Sequence, residues 1–514
     1  MPATSDHRPT SGILRNVTSN WAGLIVGIFL SFVIAPLTVN SLGNVYYGIW
    51  TLLMQFTGYL WLFDFGVRES VIKYVAQYHA SKQHDELVST VRTAVSLYSM
   101  VALVALAAVT LLAFALPYVF NIPPEAVETA RVTALLFGAT VAQGFVFNVF
   151  VGVLMGLQKF YLMARLGIVF AVARAVLIVV LLSAGYGIIM LALVQFVLTL
   201  ASNLLVYRLC IKHLPYLSVR IVRPRRAEAV KLLNYGKYVL ITNVGEKIIF
   251  ATDSIVIGIF LPISALTYYA IAGSLTEQLR AFITSMASIL NPLSSSLEAK
   301  RQMHMLATVV LTGAKVAMLL GLPVCIGFIL LGERFISLWM GEAYGPTAGL
   351  VLAVLASGYL VGLPFYTISG VLYGLGKHRI VAMARVFEGV ANLCLSILLV
   401  RRYGLIGVAL GTVIPHAIVV VGVLPSILPK LLPIDLREYY SSTYVRPFLA
   451  SVPFWFVCLI IGRVVRPPDL LSFFGCVIVG LPAYVVPCWF LALAPGERKH
   501  VLGAVRRRLQ PRVA

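Results

Sequence analysis

The chain has 514 residues, 60% of them hydrophobic and 11% charged, with a net charge of +21 and a mean hydropathy of +0.94. Soluble domains carry about 25% charged residues, so this composition excludes a water-soluble globular chain. The cations alternate with long apolar runs, which argues against nucleic acid as their partner and for a membrane topology signal.

About 20 apolar residues cross the ~30 Å hydrocarbon core as a helix. Runs of that length recur along the whole chain, whereas the ~10-residue alternating segments of a membrane β-barrel are absent. An all-α membrane protein is predicted. Residues 1–15 are polar. The apolar run from Trp21 to Val39 is too long for a signal-peptide core and is followed by no small-x-small cleavage site, so it is read as the first span. Fourteen spans are predicted. Six occupy 17–40, 45–66, 91–116, 131–156, 164–184 and 187–207. Six more occupy 236–261, 264–290, 308–331, 347–372, 380–400 and 404–428. Two last spans occupy 446–465 and 470–493.

An even number puts both termini on one side. Of the 40 Lys and Arg, only Arg131, Arg334, Arg401, Arg402, Arg463 and Arg466 fall near one face, and Arg174, Lys247, Arg280 and Lys315 lie inside spans. The rest flank the other face, so the positive-inside rule predicts cytoplasmic termini. The basic segment 212–231 divides the chain near its middle, and 498–512 forms a similar tail. Both are expected against anionic membrane lipids, at about 1 kcal/mol per basic residue. The predicted organisation is a six-helix lobe at 1–210, a basic linker at 211–233, a second six-helix lobe at 234–430, an extra helix pair at 431–496 and a basic tail at 497–514.

The two halves repeat. VYYGIW (45–50) matches TYYAIA (267–272), LMGLQK (154–159) matches LYGLGK (372–377), and Tyr186-Gly187 matches Tyr403-Gly404. The near-constant offset implies a tandem repeat in one membrane orientation, an arrangement compatible with alternating access. The six cysteines show no pairing or CxxC spacing and read as packing residues. No HExxH, GxSxG, P-loop or Rossmann pattern occurs, so no catalytic residue, metal or cofactor is expected.

LGNVYYGIWTLLMQFTGYLWLFDFGVRESVIKYVA (42–76) and ATDSIVIGIFLPISALTYYAIA (251–272) resemble the openings of the two halves of Wzx-type polysaccharide flippases of the MOP exporter superfamily. The resemblance implies two six-helix lobes around a central cavity plus two extra helices. It also implies turnover of undecaprenyl-diphosphate-linked oligosaccharide from the cytoplasmic to the outer leaflet of a bacterial inner membrane. Polysaccharide polymerase or assembly proteins are the partners such a role brings. One departure is that the Asp-x-Gly element at Asp64 has no counterpart in the second half.

Asp64 and Arg68, four residues apart at the end of span 2, read either as an interfacial helix end or as a cytoplasmic gate pair. Charges deeper in the membrane are costly and mark functional sites. Arg174, Lys247 and Arg280 are the candidate cations for the carrier diphosphate, which needs several charge-assisted donors. Lys315 is a fourth candidate, or snorkels to the surface. Glu246, Asp253 and Glu277 are the candidate ion-coupling residues. The competing reading pairs Glu246 or Asp253 with Arg280 inside a lobe, and Glu388 with Arg385. The alternative functions are a multidrug exporter of the same superfamily and a membrane-embedded polymerase or glycosyltransferase. The latter usually has a long outer loop, and all outer loops here are short.

Overall fold

A computed structural model describes residues 9–217, 225–287 and 290–499, without the side chains of 9–26, 28, 235–251, 291 and 292. The described residues are helices and short connections, with no strand among them. They divide into two compact units, Met1–Thr267 and Tyr268–Ala514.

The first unit is built from α1 (Pro9–Leu60), α2 (Val67–Ala80), α3 (His84–Val119), α4 (Val127–Gly156), α5 (Phe160–Ser183), α6 (Ile188–His213) and α7 (Arg226–Phe260). Its core lies where α2, α3, α4 and α6 meet, around Val71, Tyr98, Phe145, Val149 and Cys210. The second unit follows from α8 (Ala265–Ala287), through α9 (Leu290–Ala299), α10 (Met303–Met340), α11 (Gly345–Gly362), α12 (Pro364–Gly374) and α13 (His378–Ala417). Shorter helices complete it: α14 (Leu424–Leu431), α15 (Leu436–Tyr440), α16 (Arg446–Ile460), α17 (Leu470–Gly480) and α18 (Pro482–Pro487). There α10 packs on α11, α12 and α16, and α11 packs on α13.

Among the described residues, ten helices are long and apolar enough to cross a membrane. Two of them are broken by a glycine, at Gly43 (φ 74°) and at Gly404 (φ 55°). Those breaks coincide with the predicted boundaries between spans 1 and 2 and between spans 11 and 12. Helices α7 and α8 occupy predicted spans 7 and 8 but are not among the ten. Prolines punctuate the helices as expected from their missing N–H. Pro36, Pro323 and Pro415 sit within helices, whereas Pro364 and Pro482 open new ones.

The boundary between units falls one helix later than the basic linker that divides the sequence. The reason is a set of polar ties from α7 back to the first unit. Ser70 Oγ donates to the Leu232 carbonyl at 2.7 Å, and Lys231 Nζ donates to the Tyr78 hydroxyl. Tyr59 and Thr252 share a hydrogen bond of 3.2 Å. At the other end Asn121 donates its backbone N–H to Gly258 at 3.1 Å and its side-chain amide to Ile259 at 2.9 Å. Carbonyls at a helix end need partners, and Asn121 supplies them. The 218–224 part of the linker lies outside the described residues.

Candidate functional site

In the first unit, α1 ends in one turn of 3₁₀ helix, Trp61–Asp64. Phe65 (φ 50°) and Gly66 (φ 66°) then take left-handed conformations before α2 begins. A left-handed residue costs roughly 1–2 kcal/mol unless it is glycine, so this is a fixed turn and not a continuing helix. Tyr98, fully buried on α3, donates its hydroxyl to Asp64 Oδ1 and accepts the Arg68 N–H at 3.0 Å. Asn148 on α4 donates to Asp64 Oδ2 at 3.4 Å. One tyrosine thus holds both sides of the turn.

The Arg68 guanidinium turns away from Asp64 to Glu69, with Nη2 to Oε1 at 2.6 Å. Burial works to lower the Arg68 pKa, but the Glu69 carboxylate outweighs it and holds the guanidinium above its usual range. Asp64 and Arg68 are thus linked through the Tyr98 hydroxyl and by the Arg68 charge acting on the Asp64 carboxylate, and not by a helical side-chain ion pair. Residues four apart face each other only on an unbroken helix, and Phe65-Gly66 breaks this one.

The second unit holds a cluster of buried ions. On α13, Arg385 Nη1 reaches both Glu388 oxygens at 3.2 Å, and His416 Nδ1 lies 2.8 Å from Glu388 Oε1. Arg385, Glu388 and His416 are 8%, 2% and 8% exposed. The Arg385 guanidinium also stacks on Phe365 of α12 at 3.8 Å, a cation–π contact that strengthens when dry. Gly362 of α11 brings its backbone against His416 Nε2. On α8, Arg280 Nε donates to Glu277 Oε2 at 2.6 Å, and its Nη2 pairs with Oε1. In the buried set Glu388 is met by two basic side chains, the kind of pairing that a buried charge requires.

Sequence comparison now bears on the chain. The profile of a family described as polysaccharide biosynthesis protein matches residues 13–298. The chain belongs to that family. A second profile, MatE, matches residues 239–398 of this polysaccharide biosynthesis protein. It is 26% identical over 202 residues to the "probable low-salt glycan biosynthesis flippase Agl15" of Haloferax volcanii, covering 39% of this chain and 43% of that protein. The match thus spans less than half the length of that relative. Similarity to the uncharacterized membrane protein EpsK of Bacillus subtilis is 22% over 501 residues, covering 96% of this chain and 98% of that one. In fold, the chain is similar to the lipid II flippase MurJ in an inward closed conformation, at a TM-score of 0.68 and 17% identity, covering 93% and 98% of the two chains.

The remaining predicted residues of this polysaccharide biosynthesis protein fall as follows. Arg174 lies on α5, and its Nε is buried with no hydrogen-bond partner among the described residues. Lys247 and Glu246 lie on α7, with side chains outside the described residues. Lys247 was grouped with the second lobe; its helix packs with the first unit for the reasons given above. Asp253, also on α7, is 7% exposed, beside the Thr252 that meets Tyr59. Arg280 takes Glu277 as its ion-pair partner, and Glu388 takes Arg385 as expected. Lys315 reaches Glu497, just past the helical segment Cys488–Ala492. The lysine is 6% exposed, and its Nζ pairs with Glu497 at 2.8 Å. Burial tends to raise the Glu497 pKa, but Lys315 and the Ala494 N–H outweigh it and hold the carboxyl below its ordinary value. Sequence reasoning missed Tyr98, Asn148 and His416, each polar inside an apolar run.

Proposed function

We propose that this protein is a flippase that moves a lipid-diphosphate-linked oligosaccharide across a membrane for polysaccharide biosynthesis, without a covalent step of its own. What carries the reading is the set of ionisable side chains kept inside apolar helices of a polysaccharide biosynthesis protein: Glu277 and Arg280 on α8, and Arg385, Glu388 and His416 on α13. Ionisable groups at membrane depth are rare and mark substrate and ion pathways. A relative named as a glycan biosynthesis flippase and a fold shared with a lipid II flippase support it.

In the finer reading, the carrier is undecaprenyl diphosphate in a bacterial inner membrane. Fourteen crossings form two six-helix lobes and an extra pair, with both termini cytoplasmic. Arg174, Lys247 and Arg280 contribute cations to the diphosphate, and Glu246, Asp253 and Glu277 carry the coupling ion. Binding energy that differs between two arrangements of the lobes shifts their populations, as alternating access requires. Polymerase proteins receive the product.

The test is a proteoliposome assay with a fluorescent lipid-diphosphate-linked oligosaccharide, scored by access of an external quencher. Wild type is expected to equilibrate the label between leaflets. Arg280→Ala is expected to lower the rate about tenfold or more, because a charge-assisted bidentate contact is worth about 1.5–3 kcal/mol. Arg280→Lys should keep part of the rate. Efflux of cationic drugs with no lipid movement would instead favour the exporter reading.

A further inference from the structure

The first unit contains a cavity of about 380 Å³, within the ~300–1,000 Å³ range of small-molecule pockets. It lies between α1, α4 and α6, and none of the described residues lining it is ionisable. Its polar wall is made of Thr57, Thr140, Asn148, Gln195, Thr199 and Asn203, with the Trp61 indole beside them. A mixture of amides, hydroxyls and one large aromatic ring is unusual in the middle of helices this apolar, where each unmatched polar group is costly.

The hydrogen bonds already made leave a defined set of open valences. The Thr57 hydroxyl donates to the Leu53 carbonyl at 2.7 Å, and the Thr140 hydroxyl donates to Leu136 at 2.8 Å. Their oxygens retain lone pairs for a donor from outside. Asn203 Nδ2 is buried and has no hydrogen-bond partner among the described residues, so it is a donor in want of an acceptor. Asn148 is held by Asp64, which fixes one wall. Trp61 is held by Phe145 at a ring separation of 4.9 Å, and Gly144 leaves room for it, since a Cβ there would come within 3.2 Å of the indole. Trp61 is nonetheless 36% exposed.

We propose that this cavity is a binding site for an uncharged sugar ring of the transported glycan. Sugar hydroxyls both donate and accept, which suits the threonine oxygens and the Asn203 amide together. The axial C–H groups of a pyranose form an apolar face for the Trp61 ring. A diphosphate or a uronate would find no cation among the described lining residues, so the site selects the neutral part of the cargo. The proposal rests on the reading that the cargo carries sugar. Asn203 has a sharp diagnostic value. Its amide nitrogen contributes no internal hydrogen bond, so removing it should leave the fold as stable as before, or more so.

The experiment is saturation-transfer NMR on the full-length protein in nanodiscs, with methyl glucoside, N-acetylglucosamine and glucuronate as probes. Neutral sugars should give signal on wild type and glucuronate much less. Asn203→Leu should weaken neutral-sugar binding about three- to tenfold with an unchanged melting temperature, the loss expected for one hydrogen bond. Trp61→Leu should weaken it by a similar factor of about three to ten. Gln195→Leu serves as a third variant should either fail to fold. Equal signal from wild type and the folded variants, or glucuronate binding as well as the neutral sugars, overturns the site. Wild type that binds free sugar but moves no lipid-linked oligosaccharide in proteoliposomes overturns the flippase reading and leaves the site standing.

Discussion

The two units carry cavities of nearly equal size and opposite character. That of the first, about 380 Å³, is walled by amides and hydroxyls. That of the second, about 370 Å³, is walled mostly by apolar residues of α8, α9 and α10 such as Ile283, Met286, Leu290 and Met305, with Thr308, Thr312 and Thr367 and no amide among its described lining residues. The second unit keeps its polarity elsewhere, in the Arg385–Glu388–His416 cluster, where the charges satisfy one another. In the first unit the half-buried acid Asp64 accepts from a neutral hydroxyl and a neutral amide. Halves of one repeat have thus kept a backbone plan while dividing the chemistry. One side gathers amides and hydroxyls around a cavity, and the other gathers a buried Arg–Glu–His cluster.

The largest effect that tests this division belongs to Glu388. Glu388→Ala leaves Arg385 and His416 buried without their shared acid, a loss of roughly 3–5 kcal/mol when a buried pair is broken. Thermal unfolding in detergent reads it. Addition of Arg385→Met to Glu388→Ala should recover part of the stability. A Glu388→Ala protein as stable as wild type would show that the cluster is wet, and would erase the contrast with Asp64.

A middle-sized effect belongs to Tyr98. Tyr98→Phe removes the donor to Asp64 and the acceptor of the Arg68 N–H together, worth about 1–3 kcal/mol of stability as two buried polar groups lose a partner. The same unfolding measurement checks it. Limited proteolysis at the 64–68 turn should also speed up, because Tyr98 bonds to both of its sides. Unchanged cleavage would mean that Asn148 alone holds the turn.

The smallest effect sharpens the repeat itself. The turns at 154–159 and 372–377 make the same hydrogen bonds: Lys159 N–H to Leu154 at 2.9 Å, and Lys377 N–H to Leu372 at 2.8 Å. The left-handed position is Gln158 (φ 58°) in one and Gly376 (φ 65°) in the other. Gln158→Gly should therefore stabilise and Gly376→Gln destabilise, each by about 1 kcal/mol. Shifts of the same sign in both would show that the turns are alike only in outline.

Much of the helical plan was legible because lipid imposes length and apolarity on each crossing. The paired turns were legible because the repeat preserves a six-residue hydrogen-bonded loop and its spacing. In the candidate site a pairing was legible where partners are neighbours in sequence, as with Arg385–Glu388; for Arg280 the sequence reading offered Glu246 or Asp253, whereas the ion pair is made with Glu277, one turn away. Asp64 finds Tyr98 34 residues away, and Glu388 finds His416 28 residues away. Helix periodicity cannot supply such pairings, since they depend on which helices touch. Asp64 and Arg68 meet through Tyr98 and not as a helical i,i+4 ion pair, for a local reason that the sequence did display. Gly66 stood between the two charges, and a glycine there breaks the helical register on which the pairing depended.

The Lys315–Glu497 pair has a consequence for biogenesis. The two residues are 182 positions apart, and chains are made from the N-terminus onward. Lys315 therefore enters the membrane long before its counter-ion has been synthesised. Until then its ammonium must stay near the interface or draw water after it, since an unpaired charge is poorly tolerated at depth. Glu497 then supplies the ammonium with its counter-ion, so a chain cut short before Glu497 would carry Lys315 on α10 without the acid that balances it, and breaking a buried pair in this way is destabilising.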